Sequence, residues 1–213
     1  MSIEKTIVCL ANSYMGKYRC VAGKELGNDK PEKWVRLTTH EREGVLKKDV
    51  RELEVLDIID VKLLNSHPAD HQQENWLLDM SSPFKKDGKM PRSALTQLID
   101  STGQLWINGY KTKYGMNDYI PYSLIKKMKV NDSLRFIQVE ELTLSAHGWK
   151  VLGHFRHDNE EYSLKVTDPD YRTYRSKGFS KNKKIYECFL TVSLAGCYKK
   201  TKACHKLIAT IIS

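Results

Sequence analysis

Short runs of apolar residues, separated by clusters of polar and turn-forming residues, follow one another along the first 37 positions. An apolar segment at 7–10 is followed by a polar, glycine-containing turn and a second segment at 18–22. A Gly/Asn/Asp/Pro loop at 27–31 leads to a third segment, which carries Trp34 and Arg36. Two short strands around a glycine-containing turn form a hairpin, and the next turn cluster returns a third strand. The pattern predicts a three-stranded meander.

The middle of the chain mixes one strong strand with short helical segments. VLDIIDVKLL at 55–64 combines alternation with β-branched residues, which is typical of a buried strand. HPADHQQENW at 67–76 is polar and predicts a loop. Residues 91–99 begin with a proline in the first turn and place their leucines on one face, so they predict a helix. A second short helix is predicted at 122–128.

From residue 133 onward the pattern becomes uniformly β. Turn residues stand where hairpins require them, at 146–148 and 158–159. One long connection, 167–184, follows the third strand. The five predicted strands are 134–142, 149–155, 161–166, 185–194 and 204–212.

Two successive modules of about five strands each match the strand count of the OB-fold, a small Greek-key barrel. An immunoglobulin-like sandwich needs about seven strands per domain and fits less well. The predicted fold class is therefore mainly β with a few short helices, arranged as two tandem OB-fold-like small barrels. We expect an N-terminal OB-like module with helical insertions at 1–130 and a C-terminal OB-like module with a basic loop at 131–213.

Charge is distributed unevenly along the 213 residues. The formal net charge is +9; the segment from Lys150 to the end holds 13 Lys and Arg against 6 Asp and Glu, and the segment before it 22 against 20. A one-sided basic excess is typical of proteins that bind polyanions. A solvated basic surface without a ligand is the alternative.

The connection at 171–184 (YRTYRSKGFSKNKK) carries six Lys and Arg, three aromatic rings and no acid. Cations neutralise phosphates, and rings offer faces on which bases stack. The sequence therefore predicts a surface for single-stranded nucleic acid. Its expected phosphate contacts are Arg19, Arg36, Arg172, Arg175, Lys177, Lys181, Lys183 and Lys184, and its expected stacking residues are Trp34, Tyr171, Tyr174 and Phe179.

Signals for metal binding or catalysis are weak. His67 and His71 are four residues apart, but Pro68 allows at most a helix start there. Asp70 and Glu74 could add carboxylates, but no Cys pair or third His lies nearby. The five cysteines lack CxxC spacing and are expected to be reduced thiols. No GxSxG, GxGxxG or GxxxxGK[ST] motif occurs. We predict no metal, no cofactor and no catalytic residue, and the sequence favours a binding protein over an enzyme.

Several motifs resemble the bacterial dual OB-domain family. They are CLANSYMGKYRCVAG at 9–23, KWVRL at 33–37, LDIIDV at 56–61, HQQENW at 71–76, LWINGY at 105–110, GMNDYI at 115–120, VTDP at 166–169 and HKLIATII at 205–212. The resemblance spans nearly the whole chain. It implies two tandem OB-folds, a role in handling nucleic acid and a prokaryotic defence context. It supplies no catalytic residue set.

The resemblance also marks polar positions in loops, and these keep an alternative open. A pocket for a nucleotide or another small molecule, in a sensor or an enzyme, would be built around the loop at 67–75. Its residues would be Ser13, His67, His71, Gln72, Asn75, Asn108, Asp118, Thr167 and Asp168. Asp118 and Asp168 are the loop acids with the clearest catalytic potential, although turn formation explains both.

The leading hypothesis is a non-enzymatic tandem OB-fold protein that binds single-stranded DNA or RNA. A third possibility is a subunit that uses its basic face for an acidic protein partner, and nothing in the sequence identifies such a partner. No apolar run approaches the roughly 20 residues of a membrane span, and the N-terminus lacks the apolar region of a signal peptide. We therefore expect a cytoplasmic location and no membrane partner.

Overall fold

The computed structural model of the chain describes residues 2–27, 33–40, 44–82, 84–100, 103–172 and 182–213. It divides into two compact units, Met1–Leu98 and Ile99–Ser213. The sequence predicts a boundary at residue 130, whereas the structure groups residues 99–130 with the second unit. Leu105 explains this difference, because it is buried in the core of the second unit.

The first unit is a closed ring of five strands. Its elements are β1 (Ile3–Met15), β2 (Tyr18–Glu25), β3 (Trp34–Thr38), β4 (Val45–Leu46), β5 (Asp57–Ser66), β6 (Asn75–Leu78), β7 (Lys85–Lys89) and a 3₁₀ segment, Arg92–Leu98. The ring runs β1–β2–β3–β6–β5 and returns to β1, with β3 and β6 parallel. β4 pairs with β2, and β7 pairs with β5 outside the ring.

β1 is 13 residues long and pairs with both β2 and β5, with a register shift along its length. A bulge between Cys9 and Ala11 interrupts its pairing with β2, and its N-terminal half pairs with β5. A bulge bends a strand, which allows the sheet to close. Gly23 lies opposite this region, where a Cβ would clash with the carbonyl oxygen of Val8. Only glycine permits that close backbone approach.

The second unit contains a closed five-strand ring of the same topology. Its elements are β8 (Tyr119–Pro121), α1 (Tyr122–Lys127), β9 (Leu134–His147), β10 (Lys150–His157), β11 (Glu160–Val166), α2 (Pro169–Arg172), β12 (Lys183–Leu194) and β13 (Ala203–Ile212). The ring runs β9–β10–β11–β13–β12 and returns to β9, with β11 and β13 parallel. β8 pairs with β13.

Apolar side chains at alternating positions fill the second barrel. Phe155 and Tyr162 stack with ring centroids 5.3 Å apart inside its core. On the opposite faces of β10 and β11, His154, Ser163 and Lys165 are only half-buried. This alternation confirms the strand pattern expected from the sequence, and the two rings confirm the predicted fold class.

Two strands and one helix differ from expectation. β6 begins at Asn75, within the segment predicted as a loop, and β7 (KKDGK) is wholly exposed and polar. Neither has the apolar periodicity that marks a strand. The segment predicted as a helix at 91–99 forms a 3₁₀ helix instead. Among the described residues, no helix is long and apolar enough to cross a membrane.

Candidate functional site

A tryptophan stands almost fully exposed in the turn between β9 and β10. Trp149 is 72% exposed, and Gly148 before it has φ +62°, which closes the turn. The ammonium nitrogens of Lys150 and Lys165 each lie 5.2 Å from the centroid of its ring. Cations at this distance are attracted to the face of an indole. The turn therefore presents an aromatic surface that carries two positive charges.

The Arg172 guanidinium and the His205 imidazole lie within electrostatic reach of Lys165. Burial lowers the pKa of Lys165, and the positive charges of Lys150 and Arg172 lower it further. Burial also lowers the pKa of His205; the charge of Asp118 opposes this shift, and the charges of Lys165 and Lys150 add to it. We call Trp149, Lys150, Lys165, Arg172 and His205 the Trp149 patch. An approaching anion would relieve the repulsion among its cations.

More aromatic rings adjoin the patch. His147, in the same turn as Trp149, stacks on Tyr114 with centroids 5.4 Å apart, and Lys113 lies 5.1 Å from the Tyr114 ring. His205 packs against Tyr119 at 5.9 Å. Further ring–ring and cation–ring contacts of the second unit therefore involve His147, beside Trp149 in sequence, and His205, a member of the patch. The sequence pattern did not identify Trp149 as a binding residue, because it predicts a strand at 149–155. The position of Trp149 directly after the turn glycine Gly148 was the signal that could have placed it in an exposed turn.

The predicted basic connection is described only at its two ends. Tyr171 packs against the barrel core at the end of α2, and the Lys183 ammonium lies 5.2 Å from its ring. Lys184 is exposed and lies 2.9 Å from a carboxylate oxygen of Glu141. Tyr174, Arg175, Lys177, Phe179 and Lys181 lie outside the described residues.

In the first unit, Arg36 does not face solvent as a phosphate contact must. Its guanidinium lies 3.2 Å from a carboxylate oxygen of Glu74, and the two side chains are 3% and 7% exposed. The parallel pairing of β3 with β6 brings them together. The interpretation of Arg36 as a phosphate contact is therefore wrong. Arg19 and Trp34 are half-buried, and the Lys24 ammonium lies 5.6 Å from the Trp34 ring.

The proposed pocket residues of the first unit do not form an open pocket. His71, Gln72 and Asn75 are buried, as is Ser13 in β1, whereas His67 is exposed. The backbone folds the loop into a tight hairpin in which the Ala69 and Gln72 backbones bond to each other. His71 and Gln72 thus lie in the connection from β5 to β6, and Asn75 begins β6.

The pocket residues of the second unit are also engaged in structural contacts. Asp118 accepts hydrogen bonds from the backbone and hydroxyl of Thr112, at 2.8 and 2.6 Å. Asp168 caps α2 by accepting from the Asp170 backbone, and it also accepts from the Ile211 backbone. Thr167 donates to the Ile208 carbonyl at 3.2 Å. Turn formation and capping account for these residues.

Asn108 belongs to a buried network around a lysine. Its amide donates to the Tyr162 hydroxyl at 2.8 Å, and its carbonyl accepts from Lys206 at 2.7 Å. The Lys206 ammonium also donates to the Ile107 carbonyl, and the residue is 1% exposed. Burial lowers the pKa of Lys206 to about 7. The network holds the segment around 107–108 against the barrel.

The described part of the chain contains no group of three or more His, Cys, Asp or Glu arranged to hold a metal ion. The Trp149 patch instead combines positive charge with a largely exposed indole ring that two lysine ammoniums approach. Such a combination suits a polyanion that carries planar groups.

Comparisons with known proteins give one match that covers nearly the whole chain. A family model described as "Dual OB-containing domain" matches residues 5–211. No curated protein matches.

Solved structures match at low identity. One, described as "Structural mimicry for functional antagonism", is 10% identical with a TM-score of 0.40, covering 99% of this chain and 92% of that chain. The Ifi202 HINa domain in complex with a 20-base-pair double-stranded DNA is 11% identical with a TM-score of 0.38, covering 90% and 83%. A murine DNA binding protein bound with double-stranded DNA is 11% identical with a TM-score of 0.37, covering 100% and 99%.

Proposed function

The chain belongs to the family of dual OB-containing domains, and from this premise we propose that it binds single-stranded nucleic acid through the Trp149 patch. OB-folds bind oligonucleotides on the face of their second and third strands and on the loops beside it. In the second barrel these strands are β10 and β11, and Trp149 lies in the loop that connects the first strand to the second.

One observation carries the proposal: two lysine ammoniums lie 5.2 Å from the centroid of a largely exposed indole ring. Burial of a large apolar side chain is favourable by about 1.5–3 kcal/mol, and the exposed ring would gain free energy of this kind if a ligand covered it. A stacked base would cover the ring, and the two ammoniums would contact the adjoining phosphates. The net charge of +9 attracts the same kind of ligand over a longer range.

The geometry supports a single strand over a duplex. An indole stacks on the face of a base, and in a duplex both faces of every internal base are already stacked on neighbours. Single-stranded binders use aromatic side chains in this way, with about 1–3 kcal/mol per stacked base. The patch offers the Tyr114–His147 pair beside Trp149 for a neighbouring base.

The test is fluorescence anisotropy with a labelled single-stranded oligonucleotide at about 50 and about 200 mM salt. We expect binding that weakens steeply with salt. In the variant Lys150→Gln/Lys165→Gln the slope of log K against log salt should fall by about 1.4, because each phosphate contact on a single strand contributes about 0.7. A duplex of the same sequence should bind more weakly.

Lys47→Gln/Lys48→Gln is the matched control, since both lysines are exposed and lie in the first unit. It removes the same charge without touching the patch and should keep the wild-type slope. Absence of single-strand binding at low salt would overturn the proposal. An equal loss in both double variants would show that only net charge matters, and would overturn the assignment to the patch.

A further inference from the structure

A cleft of about 660 Å³ opens in the outer wall of the second barrel. The ladder between β9 and β10 ends at the pair Phe155–Leu142. Beyond this pair the tip of the β10–β11 hairpin diverges from β9, and the cleft occupies the resulting gap. Polar side chains on both sides line it, among them Glu141, Arg156 and Glu161.

The cleft and the Trp149 patch lie along one strand. Glu161, Ser163 and Lys165 alternate along β11 and therefore point to the same face. Glu161 and Ser163 line the cleft, and Lys165 contacts the ring of Trp149. At a rise of about 3.3 Å per residue, the row extends over roughly 13 Å. A strand of nucleic acid held at the patch would reach the cleft with a nucleotide a few positions further along.

The charge of the cleft is opposite to that of the patch. Among the described residues, four carboxylates line it, from Glu140, Glu141, Asp158 and Glu161, against the single guanidinium of Arg156. The Glu141 carboxylate is paired with exposed Lys184, 2.9 Å away. Phosphate is therefore disfavoured inside, and groups that donate hydrogen bonds are favoured. Arg156 and Glu161 are direct partners in the β10–β11 register, so a donor and an acceptor stand side by side at the rim.

One wall of the cleft is held rigid by a histidine. His154 Nε2 lies 2.6 Å from the Ser145 hydroxyl, and Nδ1 lies 2.7 Å from the Ser163 hydroxyl. Burial, followed by the charge of His147, lowers the pKa of His154. Both ring nitrogens are engaged by hydroxyls, so the ring cannot rotate freely. The Ser163 hydroxyl is thereby fixed at the cleft surface.

We propose that the cleft receives a base that carries an exocyclic amino group, and that it discriminates cytosine from thymine and uracil. The inference rests on the proposed single-strand binding. The amino group of cytosine donates to the Glu161 carboxylate, while the ring nitrogen and carbonyl beside it accept from Arg156. Thymine and uracil place a carbonyl oxygen where cytosine has its amino group, and that oxygen would face the carboxylate.

The test compares labelled oligo-dC and oligo-dT of about 10 nucleotides, a length within the site size of one OB-fold. Both are pyrimidine strands, and the cytosine amino group is the difference that the cleft should detect. We expect the wild type to bind oligo-dC at least about fivefold more tightly. Glu161→Ala should reduce the ratio to within about twofold, whereas Glu52→Ala, which removes an exposed carboxylate of the first unit, should leave it unchanged.

The possible outcomes separate the two proposals. Equal binding of both strands by the wild type, or a preference for oligo-dT, would overturn the inference and leave single-strand binding intact. A preference for oligo-dC that survives Glu161→Ala would overturn the role of the cleft. Failure of both strands to bind at low salt would overturn the proposed function itself. Since Glu161 is exposed, an unchanged thermal midpoint will confirm that the variant is folded.

Discussion

The ammonium nitrogen of Lys165 lies 5.2 Å from the centroid of the Trp149 ring, although the two residues belong to different elements. Lys165 lies on β11, and Trp149 lies in the turn before β10. Burial and two neighbouring cations lower the pKa of this lysine. Phosphate near Lys165 would favour its charged form, so binding of a polyanion and protonation of Lys165 should reinforce each other.

Trp149→Ala should weaken binding of a single-stranded oligonucleotide by about 5-fold to 150-fold, because one stacked base contributes about 1–3 kcal/mol. Trp149→Phe should retain part of the affinity. Met128→Ala, at another highly exposed apolar residue, should bind like the wild type. Titration anisotropy gives the affinities.

Intrinsic fluorescence provides a second readout of the same contact. Stacking on a base should quench Trp149, and the quenching should disappear in Trp149→Phe while the other three tryptophans still emit. Quenching that persists in this variant would place the base elsewhere.

Asp168 should make the stability of the protein fall as pH rises from about 4 to about 7. Burial raises its pKa to about 6, above the ordinary value of 3.8. The folded state therefore binds more protons than the unfolded state in this window. The stabilisation that protonated Asp168 contributes is fully present below about pH 4 and is lost as pH rises through about 6. Over this window, the unfolding free energy of the wild type should fall by on the order of 2 kcal/mol more than that of Asp168→Asn. Urea unfolding at the two pH values measures the difference, and parallel pH profiles would contradict it.

Lys206 should have the opposite effect at higher pH. Its pKa of about 7 is below the ordinary value of 10.5, so the unfolded state binds more protons between these values. Stability should therefore rise with pH through this window, and be lost again as pH falls toward about 7.

We expect the unfolding free energy of the wild type to rise by more than about 1 kcal/mol relative to Lys206→Met between about pH 7 and about pH 9.5. Lys127→Met, at an exposed lysine of α1, should follow the wild-type profile. Chemical unfolding at several pH values provides the measurement. A Lys206→Met profile with the same slope as the wild type would show that Lys206 does not titrate in this range.

Arg36→Met should destabilise the first unit by up to about 3–5 kcal/mol, because it removes the guanidinium that forms an ion pair with the buried carboxylate of Glu74. Arg36→Met/Glu74→Gln should recover much of this loss, since no charge remains uncompensated. Urea unfolding of the wild type, both single variants and the double variant gives the coupling between the two side chains. The double variant should also keep the wild-type affinity for an oligonucleotide, which would separate Arg36 from binding.

The strands of the second barrel could be predicted because their inward positions are apolar and their outward positions polar. β7 could not, since KKDGK has no apolar periodicity. Its pairing with β5 is supported by ion pairs instead: Lys86 lies 2.7 Å from Asp57, and Lys85 lies 3.6 Å from Asp60. These partners are more than 20 residues away in sequence, and no local pattern reveals them.

The candidate site was harder to predict than the fold. Arg36 resembles an exposed cation in its own segment, and its burial depends on Glu74, which the parallel pairing of β3 and β6 brings to it. The Trp149 patch likewise joins four separate segments: the turn before β10, β11, α2 and β13. Composition shows that the basic excess lies in the last third of the chain, but the ring and its two lysines become neighbours only when the barrel closes. The expected cytoplasmic location and defence context remain predictions.

The parallel seam between β11 and β13 joins residues 42 positions apart, in the pairs Lys165–Leu207 and Val166–Ile208. Pairing these strands closes a long loop, and the entropy cost of that closure must be met before the contacts between them form. The seam should therefore form late in folding and open early in unfolding. Lys165 lies on this seam and also in the Trp149 patch. A ligand that binds at Lys165 should therefore also hold the β11–β13 seam closed, and so slow the unfolding of the barrel.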